Sequence, residues 1–202
     1  MMSVYDCGSR LDVAVSAAAQ AVRRGELVVL PTDTVYGVGA DAFCAAAVNR
    51  LLTVKGRGRE KPSPVLVASQ ADAERLAVIS QEARMLMRLW PGALTIVLPA
   101  RPEIGWDLGE TGGTVALRMP ADHVALTLLE ETGPLAVSSA NITGQPSALT
   151  VQEAREQLGN AVAVYLDSGP CSGGTPSTII DGRDLTILRH GAIPDDAIVT
   201  AM

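Results

Sequence analysis

Two short stretches, far apart in the chain, carry most of the groups that could handle an anion. "KGRGREK" places Lys55, Arg57, Arg59 and Lys61 at a spacing of two, with Glu60 as the single opposing charge. In an extended segment that spacing sets all four side chains on one side. Four cations on one face repel one another unless an anion sits among them. A polyphosphate would suit, because arginine binds it as a fork and lysine as a point charge. The alternative is a solvated basic loop in which Lys55 complements a helix dipole. The string lacks the glycine and Ser/Thr spacing of a P-loop. The second stretch, "SSANITGQPS", offers Ser139, Asn141 and Ser147. These can hold phosphate oxygens or a base edge without adding charge, or simply form a turn.

Three further stretches carry polar groups. "PTDTVYGVGADA" flanks Asp33 with threonines, offers the hydroxyls of Thr34 and Tyr36, and has Gly37 and Gly39 for close backbone approach. It reads equally as a turn satisfying its own backbone. Arg118 ends the apolar run "TVALR" and calls for a carboxylate, either of a ligand or of a neighbouring Asp. "GPCSGGTPST" invites comparison with a cysteine-phosphatase loop, but Ser177 stands where that loop needs arginine. Its glycines instead suggest a flexible segment, 168–176, acting as a lid and leading to a Ser177 that faces a site.

Composition narrows the class. A chain of 202 residues with 48% hydrophobic and 3% aromatic residues can build one substantial core, filled by Val, Ile, Leu and Ala. A net charge of −6 argues against coating nucleic acid by general charge, though not against a local basic patch. No apolar run is long enough to span a membrane, and "MMSVYDCGSR" lacks the apolar core of a signal peptide, so a cytoplasmic location is expected. Three scattered cysteines support neither a disulfide framework nor a zinc site. The two histidines, His123 and His190, exclude a His-rich metal centre and give a Ser-His-Asp triad poor support.

The elements that must position these groups follow from periodicity. Helices are expected at 11–24 (stopped by Gly25), 45–56, 71–78, 80–90 with Ser80 as cap, 121–132 and 151–159. Strands are expected at 26–31, 65–69, 94–100, 114–120, 135–141, 161–167, 177–181 and 185–189. Residues 32–43 and 101–113 read as loops. Alternating strands and helices imply an α/β sheet, and the tight turn "GRD" between the last two strands implies some antiparallel pairing. Ligands are then expected at the carboxyl ends of strands.

Together these stretches resemble the YrdC-like family of threonylcarbamoyl-AMP synthases. "PTDTVYGVGADA", "KGR", "WPGALTIVL", "VALRMP", "SSAN", "PSTIID" and "LRHG" occur in that family's order over roughly residues 10–192. The resemblance implies a single α/β domain over 1–202, in the short form: a twisted mixed sheet with helices on both sides and a concave basic cavity. It implies condensation of L-threonine, bicarbonate (or CO2) and ATP to threonylcarbamoyl-AMP and pyrophosphate, for tRNA modification beside the anticodon. Lys55, Arg57, Ser139 and Asn141 match the family's tetrad. With Lys61, Thr114, Ser147 and Arg189 they are expected around ATP. Thr34, Arg118 and Ser177, and Val137 through its backbone, are expected around threonine. Magnesium would be bound mainly through the ATP phosphates, with no protein metal site. A downstream tRNA threonylcarbamoyl transferase is the implied partner, weak direct tRNA binding stays open, and no membrane is involved. Two departures stand out: Ala68 replaces a family histidine on the threonine side, and His190 replaces a proline. The alternatives are an RNA-binding module of the same fold without catalysis, and a paralogue activating a different amine.

Overall fold

Helix α1 (Leu11–Arg23) buries one stripe, Ala14, Val15, Ala18, Ala19 and Val22, at helical spacing, and the chain turns out of it at Gly25 with φ of 71°. The other helices are α2 (Ala45–Lys55), α3 (Gln70–Leu76), α4 (Gln81–Leu86), α5 (His123–Thr132), α6 (Val151–Leu158) and α7 (Asp195–Ala201) in a computed structural model that describes residues 2–202. Side-chain caps start four of them: Ser69 for α3, Ser80 for α4, Asp122 for α5, and a reciprocal Thr150–Glu153 box for α6. Such a cap is worth about 1 kcal/mol.

The strands are β1 (Ser3–Asp6), β2 (Val28–Leu30), β3 (Gly37–Asp41), β4 (Val65–Leu66), β5 (Leu94–Pro99), β6 (Thr114–Arg118), β7 (Leu135–Ser139), β8 (Val164–Asp167), β9 (Thr178–Asp181) and β10 (Ile187–Arg189). They form one mixed sheet in the order β1-β8-β2-β3-β7-β4-β6-β5-β9-β10. The β9–β10 pair is antiparallel, as the short turn between them requires.

Sequence analysis missed β1, β3 and α7. In β3 the reason is physical. Two glycines stand where β-formers are expected, and a Cβ on Gly37 would lie 2.6 Å from Val137 Cγ1. Glycine is there because β3 is squeezed beside β7, with Gly37 opposite Ser139.

Side chains alternate across the sheet and sort into two cores. Val29, Ile96, Leu117, Ala136 and Ile180 face a core shared with α2, α3, α4 and α6. Val28, Leu30, Leu135 and Val164 face the opposite side, against α1 and α5. Those two helices cover only part of their face. On β5, β6 and β9, the positions that alternate with the first core (Thr95, Val97, Ala116, Arg118 and Ile179) line cavities instead.

Candidate active site

The site is therefore on a partly uncovered face of the sheet and takes in the carboxyl ends of several strands, as expected: Leu66, Arg118, Ser139 and Arg189 each close the strand that carries them. A cavity of about 310 Å³ is lined by Thr34, Arg57, Leu66, Thr95, Arg118, Val137, Ser139, Asn141, Ser147, Ser177 and Arg189. Three arginines from three separate segments converge here.

Arg118 closes β6 and is 6% exposed. Its Nη2 donates to Asp33 Oδ1 at 2.6 Å, its Nη1 to Thr34 Oγ1 at 3.0 Å and its Nε to the Gly92 carbonyl at 3.0 Å. Both alternatives for its partner thus bear on it. Asp33 is the neighbouring carboxylate, and one N–H on each terminal nitrogen has no partner among the described residues. Burial lowers the Arg118 pKa, while Asp33 opposes that shift. Asp33 also accepts from the Ala121 backbone N–H at 3.0 Å, which holds the pair in place.

Arg189 donates from Nε and Nη2 to the Ser177 carbonyl at 3.0 and 2.7 Å, and from Nη2 to Ser177 Oγ at 3.1 Å. Its pKa is lowered, first by partial burial and then by Arg118 and Arg57. That is the signature of cations gathered with too little countercharge. Ser177 Oγ lies 2.8 Å from Thr95 Oγ1. Thr95 was not anticipated. Its only signal is a hydroxyl within the apolar run of β5.

The tetrad splits by role. Lys55 is fully buried and lines neither this cavity nor its neighbour. Its Nζ donates to the backbone carbonyls of Ser139 and Asn141, and to Asn141 Oδ1 at 3.1 Å. Asn141 Nδ2 in turn donates to the carbonyls of Ile142 and Gln145, at 2.9 and 2.7 Å. Lys55 thus shapes the Ser139–Gln145 loop and is not among the residues that line either cavity. Burial first, then Arg57, pull its pKa down to about 7.

Nor do the cations at 55–61 share one face. The helix ends at Lys55, and Gly56 turns left-handed at φ of 60°. That turn sends Arg57 into the cavity, with Nε 3.3 Å from Thr143 Oγ1. Arg59 points away to Asn49 and Asp107, and Lys61 is exposed and lines neither cavity.

Val137 lines the cavity, but its backbone N–H is committed to the Pro64 carbonyl at 2.8 Å. Ala68 packs at the edge of the α1–α5 core and is not part of the lining. Thr114 borders a second cavity, its hydroxyl donating to the Thr111 carbonyl at 2.7 Å.

The 168–176 segment is tied down over the site. Tyr36 Oη donates to the Gly169 carbonyl at 2.6 Å, and the Gly174 N–H reaches the Thr34 carbonyl at 2.8 Å. A Cβ on Gly173 would stand 2.4 Å from the Asp33 carbonyl oxygen. Gly173→Ala is therefore expected to push the segment off the Asp33–Thr34 turn at a cost of about 1–3 kcal/mol. It should raise the KM for an amino-acid substrate more than that for a nucleotide. Unchanged saturation curves for both would show that this contact does not hold the site.

Fold and site together define an α/β protein whose open sheet face presents arginine side chains and fixed hydroxyls, groups of the kind that suit small anions. The Sua5/YciO/YrdC family model, described as "Telomere recombination", matches residues 20–191. The chain belongs to this family. It is 51% identical over 199 residues to a Mycobacterium leprae protein provisionally named a threonylcarbamoyl-AMP synthase, covering 96% of this chain and 90% of that one. It is 38% identical over 204 residues to the Bacillus subtilis threonylcarbamoyl-AMP synthase, covering 98% of this chain and 59% of that one. The crystal structure of Pyrococcus abyssi Sua5 complexed with L-threonine superposes with a TM-score of 0.87 at 38% identity, over 93% of this chain and 57% of that one.

Proposed function

We propose that this chain is an L-threonylcarbamoyl-AMP synthase that joins L-threonine, bicarbonate or CO2, and ATP, with release of pyrophosphate. One observation carries the reading: Arg57, Arg118 and Arg189 converge on a single cavity whose nearest paired carboxylate is Asp33. An amino acid's carboxylate and a nucleotide's phosphates are the anions that such a pair of arginine-lined subsites suits. The names of the relatives, and the threonine bound to P. abyssi Sua5, support the same substrates.

In this reading Arg118 forks the threonine carboxylate. Thr34, Thr95 and Ser177 surround the rest of the amino acid beside Leu66 and Val137. A site built to hydrogen-bond the threonine hydroxyl rejects analogues lacking it far better than an apolar pocket would. The amine attacks carbon dioxide and loses a proton to give a carbamate. A carbamate oxygen then attacks the α-phosphorus, and pyrophosphate leaves. The nucleophile is already anionic, so the chain's residues have to orient two anions and neutralise phosphate charge; a strong base is not needed. Arg57 and Arg189 sit where they can meet the phosphates, with Ser139 and Ser147 as neutral partners.

The residues present fit magnesium only as an ion carried by the nucleotide. No group of three or more His, Cys, Asp or Glu side chains among the described residues could hold a metal, and Asp33 is engaged by Arg118. When bound, magnesium supplies charge neutralisation between phosphate oxygens. Transfer of the product onward to tRNA by a separate transferase is part of the same proposal. No helix among the described residues is long and apolar enough to cross a membrane.

The test is mass spectrometry of the adenylate formed from ATP, bicarbonate and a panel of amino acids, read beside pyrophosphate release. Release should require both threonine and bicarbonate. Release with ATP alone would reject the reading, and an adenylate from another amine would convert it to the paralogue. Arg57→Ala should cut turnover at least about tenfold, because a lost charged contact to phosphate is worth about 1.5–3 kcal/mol. Near-normal turnover in that variant would remove Arg57 from the mechanism.

A further inference from the structure

Thr32 and Thr34 both line the site cavity, in the turn between β2 and β3. Their hydroxyl oxygens lie 2.9 Å apart, and that contact alone would allow either to donate. The surroundings settle which one does. Thr32 Oγ1 lies 2.6 Å from the Val35 carbonyl oxygen, and a carbonyl has no hydrogen of its own, so the Thr32 hydroxyl donates there. The same Thr32 oxygen accepts from the backbone N–H groups of Thr34 and Val35, at 3.1 and 3.2 Å. Its single hydrogen is therefore committed. The contact with Thr34 is attractive only if Thr34 is the donor, since otherwise two lone pairs would face each other at 2.9 Å.

Thr34 then has no hydrogen left for a ligand. Its oxygen carries two lone pairs, and one of them receives Arg118 Nη1 at 3.0 Å. The other lone pair is the hydrogen-bonding capacity that remains. A substrate group that meets the Thr34 hydroxyl must therefore be a donor. Arg118, beside it, is the proposed holder of the amino acid's carboxylate. In an α-amino acid the donor next to the carboxylate is the amine.

We propose that Thr32 is a positioning residue for the amino-acid substrate: by taking the Thr34 hydrogen, it leaves Thr34 as an acceptor for an N–H of the substrate amine. The inference rests on the reading of Arg118 as the carboxylate site. An amine held by one N–H has its lone pair turned in a fixed direction, which attack on carbon dioxide requires. A freely rotating hydroxyl would in some orientations donate to that lone pair and block it.

The test is initial-rate kinetics of the intact chain, Thr32→Val, Thr34→Val and the double variant, with threonine and ATP varied in turn. Thr32→Ser keeps the hydroxyl and serves as the rescue. The β-hydroxybutyrate enantiomer that matches threonine has its carboxylate and hydroxyl but no amine, and is the competitive probe. Thr32→Val should raise the threonine KM about 3- to 10-fold, the loss of one neutral hydrogen bond, and leave the ATP KM unchanged. Thr32→Ser should restore the parent value. β-Hydroxybutyrate should inhibit the parent chain and both single valine variants equally. Because Thr32 acts through Thr34, adding Thr32→Val to Thr34→Val should raise the threonine KM no further. Additive effects in the double variant would overturn the inference by giving Thr32 a role of its own, and so would a Thr32→Ser that behaves like Thr32→Val. Weaker β-hydroxybutyrate inhibition in either valine variant would assign Thr34 to the substrate hydroxyl and overturn it as well. If Thr32→Val does not fold, Thr34→Val, which leaves the Thr32 turn intact, decides by the inhibitor and Thr32→Ser by the threonine KM. Parent kinetics in Thr32→Val would overturn this inference while leaving the proposed function standing. A parent chain that releases no pyrophosphate with threonine and bicarbonate would reject both.

Discussion

Replacing Arg118 by lysine is expected to raise the threonine KM by about two orders of magnitude while leaving the ATP KM within a few-fold. Two N–H groups, one on each terminal nitrogen, are without partners among the described residues, and in the proposed function they are the donors to the threonine carboxylate. A charged hydrogen bond is worth about 1.5–3 kcal/mol, and two of them amount to about 3–5 kcal/mol once imperfect additivity is allowed for. An ammonium keeps the charge but cannot span both oxygens. Lysine is the informative substitution because alanine would leave Asp33, 16% exposed at its side chain, without its partner. Breaking a buried pair in that way costs about 3–5 kcal/mol of stability and would confuse folding with binding. Initial rates against threonine, with a melt of each protein, check the prediction. A threonine KM unchanged in a folded Arg118→Lys would remove the fork from the mechanism.

Lys55→Met is expected to lower stability by about 1–3 kcal/mol, the cost of leaving buried neutral acceptors without a donor. For a chain of this size that is a fall in melting temperature of roughly 5 °C. The ammonium supplies donors to Ser139 O, Asn141 O and Asn141 Oδ1, and methionine leaves all three oxygens without it. Activity should fall further than stability, because the same loop carries Ser139, Asn141 and Ser147 to the cavity. A variant that melts with the parent chain and retains its rate would refute the role given to Lys55.

The same lysine sets a pH dependence. Its folded pKa, about 7, lies below the value of about 10.4 for an unfolded lysine. Between these values the unfolded chain binds more protons than the folded one. The stability contributed by this group therefore rises with pH across that window, and the desolvation penalty is full below it. Function runs the other way, since only the ammonium has three N–H groups for three oxygens. The chain has two lysines, Lys55 and Lys61, so isotope-labelled side-chain signals can be assigned by one substitution. A Lys55 signal that does not titrate until above pH 10 would contradict the shift.

Much of this was legible before folding. Ala14 to Val22 show helical periodicity, "LTIVLP" and "TVALR" read as strands, and Ser80 caps the helix it was assigned to. These are local signals, set by spacing and by the next few residues. The ordered motifs also identified the family, because each motif holds a backbone turn or a ligand group at one point of a common fold. β3 was not legible, since Gly37 and Gly39 are selected by the closeness of Val137, which lies about a hundred residues further on in the sequence. Asp33 was visible only as an acid between two threonines; its partnership with Arg118 is a contact across 85 residues.

Sequence alone determined the chemical inventory: arginines, hydroxyls and amides, few histidines, and the helices and strands that carry them. The tertiary structure decided which of those groups face a ligand. A left-handed Gly56 separates Arg57 from Lys55, Asp107 draws Arg59 away, and the placing of α1 and α5 leaves part of a sheet face open. Spacing along a chain specifies a side chain's direction only within one element. Between elements, direction depends on which surfaces pack together, and that is settled by contacts among distant residues.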